Sequence, residues 1–326
     1  MTIGILLAVR NEAKTISDLL TALLRQDVPP DEIIIGDDGS TDETPDIVKR
    51  YAEEDSRIKY FFQENAGPAA ARNKALAIST ADICVFTDGD CIPRKDWIHE
   101  LVTPLLQDNV EASAGAYETL NTDSILARFI GLEIAWKYRN QREITVHGAY
   151  NLAVRKRLLI EVGGFDEAYR YPSGEDWDLT YKISKRHKII FVPTAIVGHY
   201  HPEKFFPYMR NQIRRSADRI GLYHNHPDKI WGDNYTPRYV ALQILGAGMF
   251  FPSLLLVIPL FHFSFLVPLS ILAFLALSTM VPFFYLFKRD PFAAIYGLAV
   301  QFCRCFAWTF GCVVGLTMLM RRNKNI

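Results

Sequence analysis

The 326 residues suffice for one large domain and an appendage, and 36 basic side chains balance 36 acidic ones. That neutrality hides a mildly acidic stretch over residues 1–238 and a basic, apolar remainder, where six basic side chains stand against one acidic. No nucleic-acid partner is implied, five cysteines without a CxxC pair exclude a disulfide framework or zinc signature, and the N-terminal apolar run is too short for a signal peptide, so residues 1–238 are expected in the cytoplasm.

"TIGILLAV" reads as a fully buried strand. Ile16, Leu19, Leu20, Leu23 and Leu24 then share one helical face. "EIIIGD" is a second strand, and Ser40 with Glu43 forms a capping box for the next helix, with Pro45 in its first turn. "IKYFFQ", "AAARNKALAIS" and "ADICVFTD" continue as strand, helix, strand. Such alternation predicts a mostly parallel sheet with helices on both faces, an α/β fold whose ligands sit beyond the carboxyl ends of the strands. Arg10–Glu12, Asp37–Asp38 and Asp88–Asp90 all lie at such ends.

Beyond residue 110 the pattern is less regular. Strands are expected at "VEASAGAYE", "VHGAYNLAVR" and "KIIFVP", with helices near 124–140 and at "GEDWDLTYKISKRH". Over 203–222, Phe205, Phe206, Met209, Ile213 and Ile220 interleave with Arg210, Arg214, Arg215 and Arg219, a basic amphipathic helix able to lie on an anionic membrane. No charged side chain occurs between Tyr239 and Phe287. This run suits two membrane spans turning near "FHFS", since a bilayer core takes about 20 helical residues. Residues 292–320 form a third apolar stretch with Arg304 near its middle. A single crossing would bury that arginine and export the basic C-terminus, so a re-entrant or interfacial segment and a cytoplasmic C-terminus are expected. The boundaries follow as a domain over 1–235 and a membrane region over 236–326.

Each acidic cluster alone reads as a turn or a helix cap. At one sheet edge they read differently. Asp88 and Asp90, at i and i+2, can converge on a hard cation such as Mg²⁺ or Mn²⁺, which would neutralise a diphosphate leaving group. An acid at the end of the second strand can accept hydrogen bonds from a ribose or a base.

The pieces "AVRNEA", "DDGSTDET", "NAGPAAARN", "TDGDC", "GAYNLAVRK", "GGFDE" and "GEDWDL", in that order over residues 3–200, resemble the family 2 glycosyltransferases with the GT-A fold. The resemblance implies a nucleoside pocket lined by Arg10, Glu12 and Asp38, and Arg72 near the base and phosphates. It implies Asp88 on the ribose or the metal and Asp90 on the metal. Asp176 matches the family's catalytic base and Glu175 the neighbour that shapes the acceptor site, while Asp178, two residues further along a helix, points away. In "GHYHP", His199 rather than His201 completes the metal or diphosphate site. "QIRRS" resembles Q-x-x-R-W through Gln212 and Arg215, a candidate pyrophosphate ligand, with Ser216 in place of the tryptophan. Asn151 is placed near the donor sugar.

The expected activity is inverting transfer of a sugar from a nucleotide-sugar donor, UDP-linked in preference to GDP-linked. The acceptor would be a lipid-linked or glycan hydroxyl at the cytoplasmic membrane, with membrane lipids as further partners. A polyprenyl-phosphate sugar synthase and a catalytically silent nucleotide-sugar-binding subunit are the alternatives, and the intact Asp90 and Asp176 disfavour the second.

Overall fold

The computed structural model describes residues 1–171, 174–255 and 265–323. It divides into two compact units, Met1–Leu120 with Asn140–Tyr200, and Asn121–Arg139 with His201–Ile326. The boundary expected near residue 235 thus falls inside the second unit.

In chain order the elements begin with β1 (Ile3–Val9), α1 (Ile16–Leu24), β2 (Glu32–Asp38), α2 (Thr44–Glu54), β3 (Ile58–Gln63) and α3 (Pro68–Ile78). There follow β4 (Ile83–Thr87), β5 (Cys91–Pro93), α4 (Trp97–Val102), β6 (Ala112–Thr119) and α5 (Ile125–Tyr138). Next come β7 (Glu143–Ile144), β8 (Asn151–Arg155), α6 (Lys156–Glu161), α7 (Glu175–Ser184) and β9 (Ile189–His199). The remainder is helical: α8 (Phe205–Asn225), α9 (Arg238–Leu255), α10 (Leu266–Ser278), α11 (Phe283–Phe287) and α12 (Pro291–Asn323).

The first unit holds one sheet in the order β3-β2-β1-β4-β8-β6-β9-β5, with β7 on β9. The pairs β1–β2, β1–β4, β2–β3 and β6–β9 are parallel, while β8, β5 and β7 run antiparallel to their neighbours. Central strands buried on both faces explain the continuous apolar runs: Ile5, Leu6, Leu7, Ile33, Ile34, Ile35, Val85 and Phe86 are all fully buried. Ile16, Leu19, Leu20 and Leu23 of α1 join that core, as their spacing predicts. The capping box does not form. The Ser40 hydroxyl instead accepts from the Asn11 N–H at 2.9 Å, and Asp42 accepts the Thr44 N–H at 3.0 Å where α2 starts. Ser40 is held back in the strand-end turn because its own N–H donates to Asp37.

In the second unit α5, α8 and α12 share a core containing Phe129, Tyr208, Leu286, Ala293 and Val300. The amphipathic helix expected over 203–222 exists as α8, but its inward face is covered by protein rather than left for lipid. Tyr208, Met209, Gln212, Ser216 and Ala217 are buried, while Arg210, Arg214 and Arg215 are exposed. Gln212 accepts from the Trp308 indole at 3.0 Å and the Ser216 hydroxyl donates to the Trp308 carbonyl at 2.7 Å. Gln212, one of the two matched positions of "QIRRS", and Ser216 are therefore spent on packing α8 to α12, while the other matched position, Arg215, is exposed.

The C-terminal expectations change. Residues Pro291–Asn323 form one continuous helix with no re-entrant turn. Arg304, near its middle, donates to the Glu133 carboxylate of α5 at 2.7 Å and to the Tyr208 hydroxyl of α8 at 3.0 Å. Among the described residues, Pro291–Arg321 is the one helix long and apolar enough to cross a membrane. The two spans expected over 239–287 include residues 256–264, which lie outside the described residues together with the turn expected near "FHFS".

Candidate active site

The carboxyl ends of β1, β2 and β4 bring the first half of the site together. After β1 the chain turns through Asn11, whose φ of 58° is left-handed, and the Asn11 side chain accepts the Thr41 N–H at 2.8 Å. The Glu12 N–H donates to the Thr44 hydroxyl at 2.8 Å, so the "RNE" and "GSTDET" turns are tied to each other. Arg10 is exposed beside them. Asp38 is nearly buried, and its carboxylate accepts from Gln63, Asn65 and the N–H groups of Ala66 and Gly67 at 2.8–3.1 Å. Its first task is to shape the 63–67 loop.

Gly89 lies between the paired aspartates, and a Cβ there would come within 2.6 Å of the Glu12 Cγ. Only a glycine lets the "DGD" turn approach Glu12 this closely. Burial pushes the Glu12 carboxyl up to about 7, and the Asp90 charge adds to it. A hydrogen bond from Thr15 opposes the shift, and Asp88 adds a smaller push. Three carboxyl groups held this close favour a cation among them.

Asp90 and His199 meet through β5. Its Cys91 pairs with His199 at the end of β9, and the His199 Nε2 lies 3.3 Å from the Asp90 carboxylate. Asp90, Cys91 and His199 offer ligand atoms all within 4.8 Å of one another. The carboxylate suits a hard divalent ion, and with an imidazole beside it Mn²⁺ fits better than Mg²⁺. Cys91 is fully buried, burial holds its thiol well above the usual range, and it gives a hydrogen bond to Asp90 at 3.9 Å. The pair Asp90 and His199 is therefore the better donor set of the three. His201 belongs to the second unit, where its N–H donates to Asn121 at 3.0 Å.

The second half is built around Arg72 of α3. This side chain is 4 % exposed and donates to Asp88 at 2.8 Å and to Glu175 at 2.9 Å. Its guanidinium stacks over the Phe165 ring at 5.4 Å. Asn73 next to it accepts the Phe165 N–H at 2.9 Å and donates to the Phe165 carbonyl at 2.9 Å. The "GGFDE" motif thus serves as a floor under Arg72, clamped by the asparagine of "NAGPAAARN". Neither Phe165 nor Asn73 stood out in the sequence, because apolar and amide residues carry no chemical signature of their own.

Glu175 and Asp176 open α7. Glu175 is buried with Arg72, whereas Asp176 is half-buried and accepts the Trp177 N–H at 2.8 Å. The Asp176 carboxyl is raised above its ordinary range, first by burial and then by the Glu175 charge, with Arg72 pulling it down. A half-exposed carboxylate of raised basicity has the character of a general base. Asp178 is buried and ion-paired with Lys182 at 2.6 Å.

Asn151 is fully buried, and its amide is occupied inside the sheet. It accepts from the Trp97 indole at 2.8 Å and donates to the carbonyls of Ala116 and Ala195 at 3.0 and 2.9 Å. The sugar contact expected of it gives way to a brace joining β8, β6 and β9. Arg215 lies on the exposed face of α8 in the second unit.

Residues 5–155 match the family model described as glycosyl transferase family 2. The probable glycosyltransferase YdaM of Bacillus subtilis is 29 % identical over 228 residues, 65 % of this chain and 54 % of its own. A pre-mycofactocin glycosyltransferase of Mycobacterium tuberculosis is 30 % identical over 241 residues, 70 % of this chain and 48 % of its own. The chain spans about half the length of these curated relatives. In structure it is similar to the mannosyltransferase PcManGT from Pyrobaculum calidifontis, solved with GDP-Man and Mn²⁺, at a TM-score of 0.61 and 20 % identity. That match covers 95 % of this chain and 86 % of the other.

Proposed function

Since the chain belongs to glycosyl transferase family 2 and has the GT-A fold, we propose that it transfers a sugar, with inversion, from a nucleotide-sugar donor to an acceptor hydroxyl on a lipid-linked or glycan substrate at a membrane. The observation that carries this reading is the double ion pair of Arg72, which joins the donor-side Asp88 to Glu175 of the acidic pair opening α7. A UDP-linked donor is favoured. The similar mannosyltransferase was solved with GDP-Man and a TarS structure with UDP, so both nucleotides belong in the test.

Asp90 and His199 would hold a divalent ion, Mg²⁺ or Mn²⁺, whose charge neutralises the departing diphosphate when bound. Arg10, Glu12 and Asp38 line the nucleoside pocket, Asp38 by holding the loop that walls it. Arg72 keeps Asp88 oriented and fixes Glu175. Asp176, the less buried member of the pair, takes the proton of the acceptor hydroxyl as that oxygen attacks the anomeric carbon. Attack opposite the nucleotide gives inversion. The apolar outer surface of the second unit supports membrane association.

The test is a panel of UDP- and GDP-sugars incubated with the purified full chain and Mn²⁺, with nucleotide release measured and product configuration read by NMR. One donor turned over to an inverted product is expected. Retention, or binding of a donor with no turnover under any condition, would overturn the proposal.

A further inference from the structure

His199 ends β9 on the side of the site that would hold a divalent ion, and Asp176 opens α7 on the other. Three aromatic rings of the first unit stand between them. Thr119 of β6 pairs in register with His199, so Tyr117, two residues earlier, lies on the same face of the sheet. The Tyr117 ring centre is 5.0 Å from that of His199, and the same ring stacks on Tyr150 at 3.7 Å with the planes 10° apart. The His147 ring follows, 4.8 Å from Tyr150.

The far end of this stack is fastened by a hydrogen bond of fixed sense. The His147 Nδ1 lies 2.9 Å from the Gly148 carbonyl, which can only accept, so Nδ1 carries the proton and Nε2 is left to accept. The Tyr150 hydroxyl, 3.1 Å from Nε2, is therefore the donor. Burial lowers the imidazole to about 4, against hydrogen bonds to the backbone of Gly148 and Gly115, so the ring keeps this neutral form near pH 7. The same residue is tied to α7. Its N–H donates to the Thr180 hydroxyl at 3.2 Å, and that hydroxyl donates to the Asp176 carbonyl at 2.9 Å. A Cβ on Gly148 would lie 2.4 Å from the Tyr150 ring and 3.1 Å from the Asp176 Oδ2. Ring and carboxylate thus border one spot that the glycine leaves clear.

Rings in van der Waals contact have no slack to absorb a shift at either end. A misplacement of about 1 Å between reacting groups costs roughly 10²-fold in rate. We propose that Tyr117 and Tyr150, the latter held by His147, are positioning residues for sugar transfer, fixing the separation between His199 and the carboxylate of Asp176. The proposal rests on the roles given to those two residues above. Were the stack packing alone, the Tyr150 ring would suffice and its hydroxyl would be dispensable.

Steady-state kinetics of the full chain in Mn²⁺, on the nucleotide sugar it turns over, test this alongside calorimetry with UDP and GDP. Tyr150→Phe keeps the ring and removes the hydroxyl, whereas His147→Asn keeps a donor for the Gly148 carbonyl and removes the acceptor. Each should lower kcat roughly 10-fold, the scale of one lost neutral hydrogen bond, and the double variant should be no slower than either. Donor KM and nucleotide affinity should stay unchanged. Tyr117→Leu takes out the middle ring and should also raise the Mn²⁺ concentration that gives half-maximal rate. An unchanged kcat in Tyr150→Phe, losses that multiply in the double variant, or a Mn²⁺ response unmoved by Tyr117→Leu would overturn the proposal. Nucleotide affinity falling in step with kcat would do the same, as the mark of a general structural defect. An unaltered chain that binds neither nucleotide in Mn²⁺ would instead remove the assignments of His199 and Asp176 on which it rests.

Discussion

Arg72 and Glu175 are joined by a buried ion pair of 2.9 Å across 103 positions of sequence, and the other arm of the same guanidinium reaches Asp88 at 2.8 Å. One residue of α3 therefore sets the orientation of both the strand-end acid and the start of α7. The two partners act oppositely on Asp176, Glu175 raising its carboxyl and Arg72 lowering it. A general base works in its ionised form, so the acidic limb of the pH profile of kcat follows this group. Glu175→Gln should move that limb to lower pH, and Arg72→Gln should move it to higher pH. Shifts in the same direction would contradict the arrangement.

Metal dependence should follow Asp90 and His199. Asp90→Ala should abolish turnover and weaken binding of a nucleoside diphosphate in Mn²⁺, measured by calorimetry, and His199→Ala should do so less completely. Chelator should mimic both in the unaltered chain. Full activity in chelator, or unaltered Mn²⁺-dependent binding in Asp90→Ala, would remove the ion from the site.

Much of this site was legible in the sequence because charged residues at strand ends announce themselves. The order of strands and helices through β4 followed from apolar period and turn residues, and the acidic clusters fell where that order puts ligands. What was not legible depends on contacts between distant segments. The three-residue β5 that brings Asp90 to His199 has too few residues to show a period. Phe165, Asn73 and Gly89 act by shape. Asn151 and Gln212 were legible as polar residues in promising motifs, but sequence does not reveal whether an amide faces a ligand or a neighbouring strand. Arg304 was legible as a problem, and its solution, Glu133, lies 171 positions away.

Stability should carry its own pH signature through Glu32. Burial raises this carboxyl, but hydrogen bonds from Lys59, Ser79 and Thr80 outweigh it and bring it from 4.5 to about 2. A folded-state value below the unfolded one stabilises the protein above pH 4.5, and that contribution is lost as pH falls toward 2. Glu32→Ala also strands the Ser79 hydroxyl and the N–H groups of Thr80 and Ala81. It should cost about 2–3 kcal/mol near neutral pH. Thermal unfolding should show the difference from the unaltered chain shrinking on acidification across that window. A constant difference would mean that the carboxylate charge contributes nothing.

The measurement that bears most directly on the proposed chemistry separates donor binding from turnover at α7. Asp176→Asn is nearly isosteric and keeps the Trp177 N–H partner available, so nucleotide-sugar affinity should be unchanged while kcat falls roughly 10²-fold or more, the scale of a lost general base. Near-normal turnover in Asp176→Asn, alongside an inactive and correctly folded Glu175→Gln, would contradict the assignment and move the base to the buried partner of Arg72.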